Sequence, residues 1–133
     1  MKTVRTDIEK LDTRARNAIT SLRARASAEG AGALDYTIED LLKLAQDTRN
    51  CPLCGKSTVL DGQFGHRTPT SRGGTHTLAN VLYLCGKCNR MKGDVLTAGE
   101  VVWLLGLLSK FPTAAREYLE SRLLSGWGRH ARR

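Results

Sequence analysis

The chain has 133 residues, a length typical of one domain, and 41% of them are hydrophobic while only 5% are aromatic. Its 21 basic and 13 acidic residues give a net charge of +8 at pH 7, which favours a polyanionic partner. No segment approaches the ~20 apolar residues of a membrane span and residues 1–10 carry no apolar signal region, so we expect no membrane association and a soluble, intracellular, cytoplasmic protein.

The first predicted element is a long amphipathic helix over residues 4–27. Apolar residues recur there at three- and four-residue steps from Val4 to Leu22, and the glycines that follow Glu29 end the pattern. The arginines lie mostly off the apolar stripe. These arginines form either a solvated face or a surface that binds DNA phosphates. A third alternative is that the apolar stripe forms a dimer interface.

A second helix is predicted to begin after Thr37 and to end near Thr48. Thr37 and Asp40 have the spacing of a capping box, although aspartate is a weaker partner than glutamate in that motif. The helix delivers the chain directly to Cys51, so we expect it to support the cysteine pair that begins there.

Residues 51–93 hold the only cysteines, as two C-x-x-C pairs separated by 30 residues: Cys51, Cys54, Cys85 and Cys88. Two such pairs close a tetrahedral shell of thiolates around one Zn²⁺ with no open position, so the spacing indicates a structural zinc site. Disulfide bonds are the alternative. An intracellular compartment, which keeps thiols reduced, favours zinc.

The segment between the cysteine pairs predicts a hairpin, a long loop and a helix. In chain order its parts are extended pieces at 57–60 and 63–66 around a turn at 61–62, a loop at 67–80, a strand at 81–84 antiparallel to the one ending at His66, and a helix at 86–91. A loop of that length inside a compact domain is usually functional. We expect His66, on a strand, and Asn89, on the helix, to face each other across a shallow cleft.

Residues 94–133 predict two further helices and a basic tail. Thr97 and Glu100 form a capping box before the most apolar helix of the chain, which we expect to be the hydrophobic centre outside the motif. A last helix begins at Pro112, and the tail is expected to be disordered by itself.

Residues 51–93 closely resemble the HNH endonuclease family over about a third of the chain. The resemblance is carried by Gly65-His66-Arg67, by the turn Ser71-Arg72-Gly73-Gly74, by Asn80 before a short apolar strand, and by the C-x-x-C-N-x-x-K-G sequence that ends at Gly93. It implies a predominantly helical α+β fold. Within a single domain of residues 1–133, a small ββα-metal core with the four-cysteine zinc site would be flanked by N-terminal helices (1–50) and by C-terminal helices and tail (94–133).

The resemblance also implies a DNA endonuclease that hydrolyses phosphodiesters with one divalent metal ion, Mg²⁺ or Mn²⁺. It makes His66 the general base, Asn80 the residue that ties the loop and orients the histidine, and Asn89 a ligand of the catalytic metal. Many members carry an aspartate or histidine before the base as the other protein ligand, whereas this chain has Gly65. Further ligands of the metal beside Asn89 would be water, substrate phosphate or His76. If His76 is not a ligand, we expect its side chain only to be solvated.

The motif is strongly basic, with six basic residues and one acidic residue in 51–93. Four of the basic residues surround the cleft in sequence and are expected to bind DNA phosphates: Arg67, Arg72, Arg90 and Lys92. Two other functions stay open, a non-catalytic zinc-stabilised DNA-binding module and a subunit of a larger nuclease or packaging assembly. A homodimer is also open, and a phage or mobile-element protein would act in the host cytoplasm.

Overall fold

The computed structural model describes the backbone of residues 2–125 and the side chains of residues 9–125. Within that range the fold is α+β and mostly helical, as predicted, with these elements: α1 Lys2–Ala28, α2 Ile38–Asp47, β1 Gln63–His66, β2 Val81–Leu84, α3 Gly86–Lys92, α4 Ala98–Leu108 and α5 Thr113–Leu124. None of the described helices is long and apolar enough to cross a membrane. The predicted disordered tail, from residue 126, lies outside the described residues.

Helices α1 and α2 pack against each other and against β2 through one hydrophobic cluster. Its buried members are Ala15, Ile19, Tyr36, Leu41 and Val81. The helix α2 begins with a complete capping box, because the Thr37 hydroxyl accepts from the Asp40 backbone N–H and the Asp40 carboxylate accepts from the Thr37 backbone N–H. The two N-terminal helices therefore form a layer on one side of the hairpin.

The hairpin is a two-stranded antiparallel sheet in which Gln63 pairs with Leu84 and His66 pairs with Val81. All four residues of β2 are buried. Side chains alternate between the faces of a strand, so Leu82 and Leu84 pack on the cysteine cluster while Val81 packs on the helical cluster. The strand β2 thus joins the two cores.

The prediction of an extended piece at residues 57–60 is wrong beyond Ser57, because residues 59–60 form a turn. Ser57 makes an isolated bridge with Asn50, and the Cys51 backbone N–H donates to the Lys56 carbonyl at 2.6 Å, so this segment closes the first cysteine pair instead. Likewise the long loop is not without structure, because it contains two 3-10 turns, Thr70–Arg72 and Leu78–Asn80.

Helix α4 begins at the predicted capping box but is not a hydrophobic centre. Ala98, Val101 and Leu108 are buried, whereas the side chain of Trp103 is 66% exposed and that of Leu107 is 40% exposed. The helix carries apolar residues on all sides, and only one side has neighbours to pack against. The larger buried cluster lies instead between α1, α2 and β2.

Candidate metal centre and active-site cleft

The four cysteines converge on one point beside the hairpin. Their Sγ atoms all lie within 4.8 Å of one another, and Cys54 Sγ is 3.6 Å from Cys85 Sγ. The second distance is close to the ~3.8 Å edge of a thiolate tetrahedron with metal–sulfur bonds of ~2.3 Å, and it is far longer than a disulfide bond of ~2.0 Å. All four are free thiols in the structure. The cluster can hold a metal ion, and the disulfide alternative finds no support.

The surroundings of the cluster shift the pKa values of its thiols in different directions. Burial raises the pKa of the Cys51 thiol, but backbone N–H groups of Cys85, Cys54 and Leu53 outweigh it and bring that pKa down to about 7. Burial is also the first cause that raises the pKa of Cys88. A bound divalent cation would release the protons of such buried thiols, because thiolates are the ligands.

A cleft of about 920 Å³ lies between β1, α3, the long loop and α1. His66 lines it from the end of β1, with only 5% of its surface exposed and with no hydrogen-bond partner for Nε2 among the described residues. Burial, followed by the charges of Arg25, His76 and Lys92, lowers the pKa of His66 to about 4. The imidazole is therefore neutral at pH 7 and keeps a lone pair on one ring nitrogen, although its lowered pKa makes it a weaker base than an ordinary histidine.

Asn89 reaches across the cleft from α3 and lies against Gly65. Its Nδ2 donates to Gln63 Oε1 at 2.8 Å, which orients the amide, and a Cβ on Gly65 would lie only 2.6 Å from Asn89 Oδ1. The glycine therefore leaves the space that the amide oxygen occupies. An oriented amide oxygen is a suitable ligand for Mg²⁺ or Mn²⁺. Gln63 was not identified from the sequence, although its position two residues before Gly65, on the same face of β1, is a usable signal.

Asn80 is 8% exposed and ties the long loop to the hairpin. Its Oδ1 accepts from the Thr68 backbone N–H at 2.9 Å, and its Nδ2 donates to the carbonyls of Thr68 and Thr75 at 3.0 and 2.9 Å. Gly74 allows this close approach, because a Cβ there would lie 1.9 Å from the Thr68 carbonyl oxygen. The side chain holds the backbone that directly follows His66.

His76 is placed differently from the expectation of a solvated side chain. Only 9% of its side chain is exposed, and its Nε2 lies 3.0 Å from Glu29 Oε1 at the end of α1. Its ring stands edge-on to that of His66 with 5.7 Å between centroids, and it does not line the cleft. In this arrangement it lies beside His66.

Of the four basic residues that were expected to bind phosphates, two line the cleft and two do not. Arg72 and Lys92 line the cleft, but Arg72 is paired with Glu100, and Lys92 is buried with its Nζ donating to the Gly93 carbonyl. Arg67 and Arg90 are exposed and lie outside the lining. A cation that sequence reasoning missed, Arg25 on α1, does line the cleft. No local signal marks it, because only the packing of α1 brings it there.

The hairpin and following helix, with a buried histidine on the strand and an amide oxygen on the helix at one cleft, define a ββα-type module beside a four-cysteine centre. The family model described as HNH endonuclease matches residues 51–95, which are 45 of the 133 residues of the chain. This match confirms the resemblance for that segment and supports a nuclease-type function in general. No curated protein and no solved structure matches the chain.

Proposed function

We propose that this protein is an HNH-type DNA endonuclease that hydrolyses a phosphodiester bond with a single divalent cation and with His66 as general base. The observation that carries the proposal is a cleft lined by both His66, a neutral, buried imidazole with an unpartnered nitrogen, and Asn89, whose amide is oriented by its hydrogen bond to Gln63. The basic motif and the HNH match support DNA as the substrate.

In this mechanism His66 takes a proton from a water molecule, whose oxygen attacks the phosphorus. The bond between phosphorus and the leaving sugar oxygen breaks, and the leaving oxygen acquires a proton from solvent. Asn89 would hold the cation through Oδ1, with water and substrate phosphate completing the shell. The chemistry that Mg²⁺ or Mn²⁺ would supply when held there is neutralisation of the charge on the leaving oxygen. Asn80 keeps the loop closed and thereby fixes the backbone that follows His66.

The cysteine cluster would hold Zn²⁺ in a structural role. Four thiolates at tetrahedral spacing leave no position for water or substrate, so this ion takes no part in hydrolysis. Its role is to fix the start of α3 relative to the first cysteine pair and so to position Asn89.

A second candidate is a non-catalytic DNA-binding module, and Gly65 is the observation that favours it. With glycine at this position the motif supplies Asn89 as its single protein ligand, and a one-ligand site binds a divalent cation weakly. DNA binding without cleavage would then be the whole function of the cleft.

A plasmid relaxation assay separates the two functions. We expect wild-type protein to convert supercoiled plasmid to nicked or linear forms with millimolar Mg²⁺ or Mn²⁺ and to stop when EDTA is added. The His66→Ala variant should bind DNA as well as wild type but cut it at least 100-fold more slowly, a typical loss for a general base. Binding without cleavage by both proteins would establish the second candidate, and equal cleavage by both would remove His66 from the mechanism.

A further inference from the structure

Helix α1 forms one wall of the cleft, and this wall is not supplied by the HNH segment, residues 51–95. Asn17, Ser21 and Arg25 line the cleft from this helix, which lies entirely outside the matched residues 51–95. They are spaced four residues apart, so they stand in one row on the same face of the helix. This row points toward the cavity that also contains His66.

The polar groups of this row are available to a ligand. Within the described part of the chain, the side chains of Asn17 and Ser21 have no hydrogen-bond partner. The side chain of Arg25 is 45% exposed, and its Nη1 lies 3.9 Å from Asp94 Oδ1, which is beyond hydrogen-bond length. A phosphate oxygen can therefore hydrogen-bond to Arg25 without breaking a strong ion pair.

The dimensions of the row suit a nucleic-acid strand. Asn17 and Arg25 are eight positions apart on the α-helix, a rise of ~12 Å. That length matches the rise of three to four nucleotides on one DNA strand at ~3.4 Å each. Arg25 is at the end of the row near the base, because its charge is the largest contribution after burial to the lowered pKa of His66.

We propose that the Asn17–Ser21–Arg25 row of α1 binds the phosphate backbone of the strand that is cut, with Arg25 on a phosphate next to His66. Arg25 is then a substrate-binding residue that lies outside the HNH segment and lines the same cleft as Lys92. The inference rests on the proposed function for the identity of the polyanion, DNA.

Equilibrium binding to a fluorescent duplex, in the His66→Ala background and at several salt concentrations, tests the row independently of cleavage. Replacing Arg25 by Gln should weaken binding about tenfold near 0.1 M salt and should reduce the slope of log K against log salt by about one, because one phosphate contact is lost. The matched control is Arg23→Gln, an exposed arginine on the same helix that does not line the cleft. It should change the slope much less.

A second pair of variants covers the middle of the row. Ser21→Glu places a negative charge in the cleft, whereas Thr20→Glu places the same charge at the adjacent exposed position outside it. We expect Ser21→Glu to weaken DNA binding at least tenfold more than Thr20→Glu, with melting temperatures of the two variants alike. In cleavage by the His66-containing enzyme, Arg25→Gln should lower kcat/KM while Arg23→Gln leaves it near the wild-type value.

The outcomes distinguish this inference from the proposed function. If wild type cuts DNA but each cleft variant behaves like its control, the row is not a DNA-binding surface, and the nuclease proposal stands. If the protein binds DNA without cutting and the cleft variants still lose binding, the row is supported and the nuclease proposal fails. A protein that does not bind DNA at all overturns both.

Discussion

At the scale of single residues, the cleft depends on two close approaches that glycine permits. Gly65 leaves space for the Asn89 amide oxygen, and Gly74 leaves space for the carbonyl of Thr68. Each glycine sits beside an asparagine of the motif, Asn89 in one case and Asn80 in the other. Asn89 can take its observed position only because residue 65 has no side chain.

Replacing Gly65 by Ala should raise the metal concentration needed for half-maximal cleavage. The new Cβ would lie 2.6 Å from Asn89 Oδ1, so the amide must turn away and lose its hydrogen bond to Gln63. A Mg²⁺ titration of cleavage measures the shift, which we expect to be about tenfold. Gly106→Ala, at an exposed position of α4 where a Cβ would have nothing within 4 Å, is the control. An unchanged titration for Gly65→Ala would contradict Asn89 as the metal ligand.

The lowered pKa of His66 predicts an unusual pH profile. A base must be deprotonated to act, so kcat/KM falls as pH drops through its pKa, which is about 4 in the free protein. At saturating metal, kcat/KM should stay nearly constant from pH 7.5 to pH 6. A histidine with the ordinary pKa near 6.5 would lose about fourfold over that range. An inflection near pH 6.5 would show that the base is not in this buried environment.

At the scale of elements, helix α1 is the part outside the motif that completes the site. It is held to the hairpin by Arg14, which donates from Nη1 to the Tyr83 hydroxyl at 2.9 Å and from Nη2 to the Leu60 carbonyl at 2.6 Å. At its end, Glu29 holds His76, and that hydrogen bond is the main cause that lowers the pKa of Glu29. The helix thus contacts the hairpin and the long loop from one side of the cleft.

Replacing Arg14 by Ala should destabilise the fold by about 2 kcal/mol, because two hydrogen bonds from a charged donor are lost together. Urea unfolding followed by circular dichroism measures this change. Arg23→Ala is the control, since that arginine is exposed and makes none of these contacts. If both variants unfold at the same urea concentration, α1 is not held to the hairpin through Arg14.

At the scale of the whole molecule, two cores meet at one buried strand. The cysteine cluster and Leu82, Leu84 and Ala98 form one core, and α1, α2 and Val81 form the other. Since β2 pairs with β1 and leads into α3, its position determines the distance between His66 and Asn89. A metal ion on the cysteines would therefore stabilise the cleft from a site that substrate does not reach.

Replacing Cys54 by Ser should abolish metal retention and unfold at least the hairpin and α3. Binding of zinc to a four-thiolate site is worth on the order of 10 kcal/mol, which is comparable to the whole stability of a small domain. Metal analysis of purified protein together with thermal melting tests it, and Ser57→Ala, at an exposed position near the same cysteine pair, is the control. A Cys54→Ser variant with one metal ion per chain and native melting would contradict a structural metal site.

Elements that depend on neighbouring residues could be predicted from the amino-acid sequence. Capping boxes at Thr37 and Thr97 and periodic apolar residues set the helix ends within a few residues, because the interacting groups are three or four positions apart. The spacing of the cysteines was sufficient to predict that their thiols converge. The pairing of the strand ending at His66 with residues 81–84 was also predicted and is confirmed.

Which side chains face the cleft could not be predicted from the sequence, because that depends on how distant segments pack. The contact of Glu29 with His76 spans 47 positions, and the placement of Arg25 beside the cleft follows from the packing of α1 rather than from its own neighbours in sequence. The exposure of Trp103 could not be predicted either, because an apolar pattern does not show which faces of a helix pack against other elements. Contacts between distant segments depend on how all the residues of both cores pack together, and a short sequence pattern does not contain that information.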